Sequence, residues 1–357
     1  MNHFRKIQEA LSGADLDGVL LTCRANRFYA TGFDSYDTDG ACLITPDAVR
    51  YWTDGRYIEA ARAQIEGAEF GLRDQDHLYK DLFAEAVKTY GLKRLGFDDA
   101  CMTVADYRRY SEALPCELVP ASELLTGLRA VKDGEEQARM RAAQRIAEKV
   151  LDEILNDVRP GVSERFLAAR LVFLLRQGGA EDVSFDPIVL SGSRTSMPHG
   201  APSDKTLAAG DFVTMDFGCK YLGYCSDMTR TVALGNVTEE MERVYRTVLN
   251  AQSAGIAAAK AGATGKAVDG AARAVIEGDG YGEYFTHSFG HGLGVEIHEP
   301  PNAARTNEKP FPAGAVISAE PGIYIAGRFG VRIEDVVILD ENGCEDITNA
   351  PKDLLVL

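Results

Sequence analysis

Short apolar runs set off by turn-forming residues fill the first third of the chain. Residues 18–22, 41–45 and 94–98 each place a compact apolar stretch between polar or glycine-bearing flanks, the pattern of a strand. Between them, residues 56–66 and 103–114 repeat apolar positions at helical spacing, and Thr103 is placed to cap the second of these helices. The alternation predicts a small α/β domain over residues 1–128. A charged segment, residues 129–136, then opens a helical pattern that runs to about Val158, with Asp133 at its start and Pro160-Gly161 at its end. Further helices are expected after Ser163 and from Thr238, and residues 183–234 and 285–340 read as strands joined by tight turns. Helices and strands are grouped rather than alternating here, so residues 129–357 read as an α+β domain.

Within that second domain the pattern repeats. LAAGDFVTMDFG (residues 207–218) is answered by FPAGAVISAEPG (residues 311–322): Gly210, Asp216 and Gly218 match Gly314, Glu320 and Gly322 at a spacing of 104 residues. Each segment is followed by a strand carrying another acid, Asp227 in CSDMTRTVAL and Glu334 in RIEDVVIL. Upstream, Arg159-Pro160-Gly161 corresponds to Lys260-Ala261-Gly262 at a spacing of 101, with an apolar-periodic helix after each. Two similar halves related by a pseudo-two-fold axis are expected, their acidic strand pairs facing one another.

Composition narrows the partners. The chain has 357 residues, which suggests two domains, and 45% apolar residues supply a large core. A net charge of −16 repels phosphate backbones and anionic lipid, so neither nucleic acid nor a membrane surface is an expected partner. No apolar run approaches the ~20 residues of a membrane span, and the amino terminus lacks the apolar core of a signal peptide. Seven cysteines, odd in number and without a C-x-x-C pair, point to reduced thiols and a cytoplasmic setting.

The repeat brings chemistry with it. On facing strand pairs, Asp216, Asp227, Glu320 and Glu334 would converge between the halves. Four carboxylates repel one another too strongly to share a site as free anions, and a pair of divalent cations removes the conflict. Three of the six histidines, His287, His291 and His298, fall within twelve residues on glycine-lined backbone, and a fourth, His199, lies in the loop-like SMPHG. Together with the acids these read as one site. His3 and His77 have no such setting and read as surface residues.

These motifs resemble the creatinase-like, "pita-bread" metallopeptidases, in particular their aminopeptidase P/prolidase branch. The resemblance covers nearly the whole chain: TDGRY (residues 53–57), MDFG with an acid eleven residues beyond its aspartate, HSFGHGLGVEIHE, SAEPGIY and RIED. It implies a pita-bread domain behind a creatinase-type amino-terminal domain. It also implies five metal ligands, Asp216, Asp227, His291, Glu320 and Glu334, with Asp227 and Glu334 bridging two ions. In the same family His298 helps stabilise the tetrahedral oxyanion, Glu320 relays a proton, and Arg332 and Tyr324 brace Asp216. His199, His287 and His298 line the region that recognises proline. Mostly oxygen donors with one imidazole suit Mn²⁺ and accommodate Co²⁺ or Zn²⁺. Two such ions can share a water, lower its pKa and present it to the carbonyl before proline.

Peptides with proline at the second position are therefore the expected substrates, and the resemblance implies a homodimer. A dipeptidase must neutralise the carboxylate after proline, and relatives often offer an arginine soon after the His298-type residue. Here Glu299-Pro300-Pro301-Asn302 follows, and the first arginine is Arg305. That departure favours an aminopeptidase P-like activity, with an Xaa-Pro dipeptidase (prolidase) as the alternative. A non-catalytic binding protein on the same fold is the remote reading, because such relatives lose ligands and none is missing here. Residues 34–39 carry three acids, Asp34, Asp37 and Asp39, which either attract a substrate amino group across a dimer interface or form a solvated turn.

Overall fold

The computed structural model describes residues 2–36 and 39–357, in two compact units, Met1–Arg129 and Ala130–Leu357. In the first unit, helix α1 (Phe4–Gly13) precedes β1 (Gly18–Leu21), α2 (Arg24–Thr31), β2 (Ala41–Ile44), β3 (Val49–Thr53) and α3 (Ile58–Gln64). Then come β4 (Glu69–Leu72), α4 (Tyr79–Tyr90), β5 (Arg94–Phe97), α5 (Val104–Ala113), β6 (Glu117–Pro120) and α6 (Ser122–Ala130). The strands form one sheet in the order β4-β3-β2-β1-β5-β6, with β1 antiparallel to β2 and parallel to β5. Thr103 caps α5 by accepting from Asp106 N, as its position in the sequence suggests. The sequence pattern does not single out β4 and β6: each is four residues, and no core-facing alternation marks EFGL or ELVP.

Two expectations in this unit need correction. His3 is buried, not on the surface, and its ring stacks on Tyr29 at 4.1 Å. In the acidic loop, Asp34 pairs with Arg24 at 2.6 Å and Asp39 is buried, accepting a hydrogen bond from the Tyr79 hydroxyl. Asp39 is therefore no part of a solvated turn, and Asp37 and Thr38 lie outside the described residues. His77 is exposed beside Asp74.

The second unit opens with α7 (Gly134–Ile154), started by a capping box in which Asp133 accepts from the first turn and the Glu136 side chain from Asp133 N. It ends four residues before Val158, because short-range bonds such as Asn156 N to Glu153 O and Asp157 N to Ile154 O tighten the chain into turns ahead of Pro160. Next come α8 (Glu164–Gln177), β7 (Asp182–Val183), β8 (Ile188–Ser191), β9 (Phe212–Phe217), β10 (Cys219–Tyr221), β11 (Tyr224–Cys225) and β12 (Met228–Ala233). The second half has α9 (Glu239–Ala258), α10 (Gly265–Gly278), β13 (Gly290–Gly292), β14 (Glu299–Ala303), β15 (Val316–Ala319), β16 (Gly322–Ile325), β17 (Phe329–Arg332), β18 (Asp335–Leu339) and β19 (Cys344–Asp346).

The repeat is present in the backbone. β12-β9-β8 in one half corresponds to β18-β15-β13 in the other. Ser163 and Thr264 cap the corresponding helices α8 and α10. Gly161 N donates to Leu207 O and Gly262 N to Phe311 O, each at 2.9 Å. Gly210 and Gly314 both adopt left-handed φ, 88° and 82°, where a side chain would be strained. The two sheets meet at the ligand-bearing strands: Glu334 N donates to Thr229 O, and Arg230 Nη1 to Glu334 O. Every residue of β9, β12, β15 and β18 is buried, and the polar residues among them are hydrogen-bonded inside the core, as where Thr214 and Thr231 pair across β9 and β12 at 3.0 Å. Among the described residues no helix is long and apolar enough to cross a membrane.

Candidate functional site

Each acid stands at a defined place on the facing strands. Asp216 is the fifth residue of β9, Asp227 immediately precedes β12, Glu320 immediately follows β15, and Glu334 immediately precedes β18. His291 is the middle residue of β13, which approaches its neighbours closely: a Cβ on Gly290 would lie 2.0 Å from Ser318 O, and one on Gly292 2.2 Å from Glu299 O. Glycine is therefore required on both sides of the histidine.

All five expected ligands converge. His291 Nε2 lies 3.5 Å from Asp227 Oδ2 and 3.3 Å from Glu320 Oε1. Donor atoms of Asp227, His291 and Glu334 all lie within 4.8 Å of one another, a spacing suited to holding a cation. His291 Nδ1 faces Gly292 O at 3.2 Å, so that nitrogen carries the proton and Nε2 offers its lone pair to the acids. Burial, reinforced by Asp216 and Glu320, holds the Asp227 carboxyl well above its ordinary range. Glu334 is raised likewise by burial and by Asp227, Glu320 and Asp216, and Glu320 is raised chiefly by burial. Asp216 Oδ1 and Asp227 Oδ1 are buried without a hydrogen-bond partner. Bare, this cluster carries a large desolvation and repulsion cost, and two divalent cations fit it because they satisfy both.

Around the cluster the orientation is fixed by hydrogen bonds. Arg332 Nη2 donates to Asp216 Oδ2 at 2.6 Å, its Nη1 to the Tyr324 hydroxyl at 3.0 Å, and its Nε to Thr229 Oγ1 at 3.0 Å. Thr229 donates in turn to Glu334 Oε2 at 2.6 Å, and Ser318 to Glu320 Oε1 at 3.0 Å. Thr229 lies two residues after Asp227 and Ser318 two before Glu320, so the same-face rule for strands could have found both. Behind them, Arg230 pairs with Asp335 at 2.8 Å, both buried, and Gln252 Nε2 donates to Asp335 Oδ2. No local sequence cue distinguishes that pair from a surface one.

A cavity of about 450 Å³ opens over the cluster, within the range of small-ligand sites. His199, His287 and His298 line it with Phe185, Ile188 and Ile297. His298 packs edge-on against His291, ring centroids 4.3 Å apart. His287 is committed at both nitrogens: Nδ1 faces Ser288 O at 2.8 Å, and Nε2 lies 2.9 Å from the Tyr324 hydroxyl. Its Nδ1 must donate to the carbonyl, so Nε2 accepts from Tyr324. His287 therefore meets the cavity only through its ring. Burial lowers the pKa of His287, His291 and His298 alike, favouring neutral rings. Burial pushes the Tyr324 phenol up to about 12, so it stays a donor.

Duplicated strands closing on a carboxylate–histidine cluster beneath a small cavity define the class of pita-bread peptidases. The chain belongs to metallopeptidase family M24: that family's model matches residues 138–341, and that of the Creatinase/Prolidase N-terminal domain matches residues 4–131. It is 42% identical to a structure described as an Xaa-Pro dipeptidase from Bacillus anthracis, over 99% of both chains with a TM-score of 0.94. An X-Pro aminopeptidase structure from Thermotoga maritima is 35% identical over 100% of both chains, with a TM-score of 0.93. The Xaa-Pro dipeptidase of Pyrococcus furiosus is 41% identical over 98% of both chains.

Proposed function

We propose that this chain is a dinuclear metal-dependent Xaa-Pro dipeptidase, a prolidase. The observation that carries the metal-dependent reading is the buried cluster of five donors with orphaned carboxylate oxygens. Asp216, Asp227, His291, Glu320 and Glu334 would hold the two cations. Bound there, divalent cations supply polarisation of the scissile carbonyl and acidification of the attacking water. The ligand chemistry favours Mn²⁺, with Co²⁺ or Zn²⁺ accepted.

The side chains divide the remaining work. Arg332 aims Asp216 by donating to its Oδ2, and Tyr324 and His287 hold Arg332 in place. His298, a neutral ring in the cavity wall, donates an N–H to the carbonyl oxygen as charge develops on it. Glu320, held in orientation by the Ser318 hydroxyl, would carry a proton from the water towards the leaving nitrogen. The bond before proline is a tertiary amide without an N–H, so the ring must be recognised by shape. Phe185, Ile188, Ile297 and His199 offer it an apolar wall with a polar tip. The uncross-linked cysteines suit a cytoplasmic setting.

Relatives described as Xaa-Pro dipeptidases support dipeptides as substrates, which reverses the order suggested by the sequence alone. One observation favours the aminopeptidase reading instead. Among the described residues lining the cavity, Arg332 is the only Lys or Arg, it is committed to Asp216, and Asn302 is neutral. Hydrolysis of Ala-Pro and Ala-Pro-Ala by EDTA-treated protein, with and without Mn²⁺, separates the readings. Metal-restored cleavage of Ala-Pro alone is expected. Cleavage of the tripeptide alone would make this an aminopeptidase, and silence on both with every divalent metal tried would refute the proline assignment.

A further inference from the structure

Among the described residues no disulfide links the seven cysteines, but two of them meet. Cys23 Sγ and Cys101 Sγ lie 2.8 Å apart although 78 residues separate them in sequence. That is inside the usual contact distance of two sulfurs and less than 1 Å from the bond length of about 2.05 Å. Cys23 is the N-cap of α2, two residues beyond the end of β1, and Cys101 lies in the turn after β5. Because β1 and β5 are parallel neighbours, both segments leave the sheet at the same, carboxyl end of the strands.

Backbone anchors hold them there. Thr22 N and Cys23 N donate to Asp98 Oδ2 at 2.6 and 3.0 Å, and Asn26 Nδ2 to Asp98 Oδ1 at 2.5 Å. Cys101 N donates to the carbonyl oxygen of the same residue, at 3.1 Å. One buried aspartate thus fixes the chain on both sides of the sulfur pair, and closing a bond requires little rearrangement. The other thiols contrast with this arrangement. Cys42, Cys219 and Cys225 are buried, and burial pushes the Cys219 thiol to about 11 and the Cys225 thiol to about 12. Cys23 is drawn down to about 7, first by the hydrogen bond from Cys101 and then by N–H groups of Asn26 and Ala25, against burial and Asp98. Cys101, exposed, opens the pair to small oxidants.

We propose that Cys23 and Cys101 form a reversible redox site that a peroxide closes to an intramolecular disulfide. The Cys23 thiolate attacks one oxygen of hydrogen peroxide; the O–O bond breaks, a sulfenic acid forms and hydroxide leaves. The Cys101 thiol attacks that sulfur; the S–S bond forms, the S–O bond breaks and water leaves with the thiol proton. Two electrons pass from the sulfurs to the peroxide, and a dithiol reductant returns them. The closed loop ties the β1–α2 turn to the turn after β5 and stiffens the first unit.

The test uses the full-length, fully reduced protein treated with stoichiometric hydrogen peroxide, followed by alkylation, intact mass and a non-reducing peptide map. Two fewer alkyl groups than the reduced protein takes up, and one cross-link between the peptides carrying Cys23 and Cys101, both reversed by dithiothreitol, are expected. The unfolding midpoint of the oxidised chain should rise by roughly 5 °C. In C101S, Cys23 should stall as a sulfenic acid trapped by dimedone, with no internal cross-link. Both thiols remaining open to alkylation in the wild-type protein, or a cross-link through other cysteines, would overturn the proposal. Neither outcome depends on peptidase activity.

Discussion

Near the start of α8 and near the start of α10, the corresponding helices of the two halves, a buried acid holds the loop that carries a cavity histidine. In the first half Glu164 accepts from Ser191 N and Oγ, Ser203 N and Oγ, and Arg194 Nε, so it ties both ends of the loop bearing His199. In the second half Asp269 accepts from Phe289 N and is bound at both oxygens by Arg273, which donates to Phe285 O and His287 O. Glu164 is fully buried but its arginine is 28% exposed; Asp269 and Arg273 are 0% and 9% exposed. The frame was duplicated, and the means of holding the functional loop diverged. One half uses four neutral donors and a partly exposed arginine around an acid, the other an enclosed ion pair whose halves cannot be removed singly without leaving a buried charge.

The sharpest test of equivalence between the halves neutralises one central acid in each. D227N and E334Q should each lower hydrolysis by roughly 10³-fold, about 4 kcal/mol in the barrier, as measured by kcat/KM on Ala-Pro. A large inequality would break the symmetry of the site. The loop anchors should separate instead: D269N is expected to destabilise the chain by about 3 kcal/mol in urea unfolding, and E164Q by about half of that. Equal losses would show that the enclosed pair makes no difference. Only the second half supplies the brace on the first half's acid, so R332K, which loses the two-sided reach to Asp216 and Tyr324, should lower activity 10- to 100-fold with little change in stability. The smallest effects return to symmetry: S163A and T264A each remove a helix cap and should cost about 1 kcal/mol apiece.

Much of this was legible in the sequence because the frame is repeated. The paired glycines, the acids and the helix starts recur at nearly constant spacing, so Asp216, Asp227, Glu320 and Glu334 could be placed together before any coordinates. Helix caps at Thr103 and Asp133, and helix starts at Ser163 and Thr238, were legible for a different reason, since capping is local chemistry. What was hidden is long-range. Arg230–Asp335 joins residues 105 apart, and Cys23 meets Cys101 across 78 residues. His3 looked like a surface residue because the Tyr29 ring that covers it lies 26 residues away. His287 was expected at the substrate, and only its hydrogen bonds show that both nitrogens face the protein.

The central claim is that the two halves converge on a two-ion centre, and metal stoichiometry tests it most directly. Protein stripped with EDTA, loaded with Mn²⁺ and freed of excess ion would be analysed by elemental analysis beside E334Q treated in the same way. About two ions per chain in the wild type, with clear loss in E334Q, are expected. Fewer than one ion per chain in the wild type, or an unchanged content in E334Q, would contradict it.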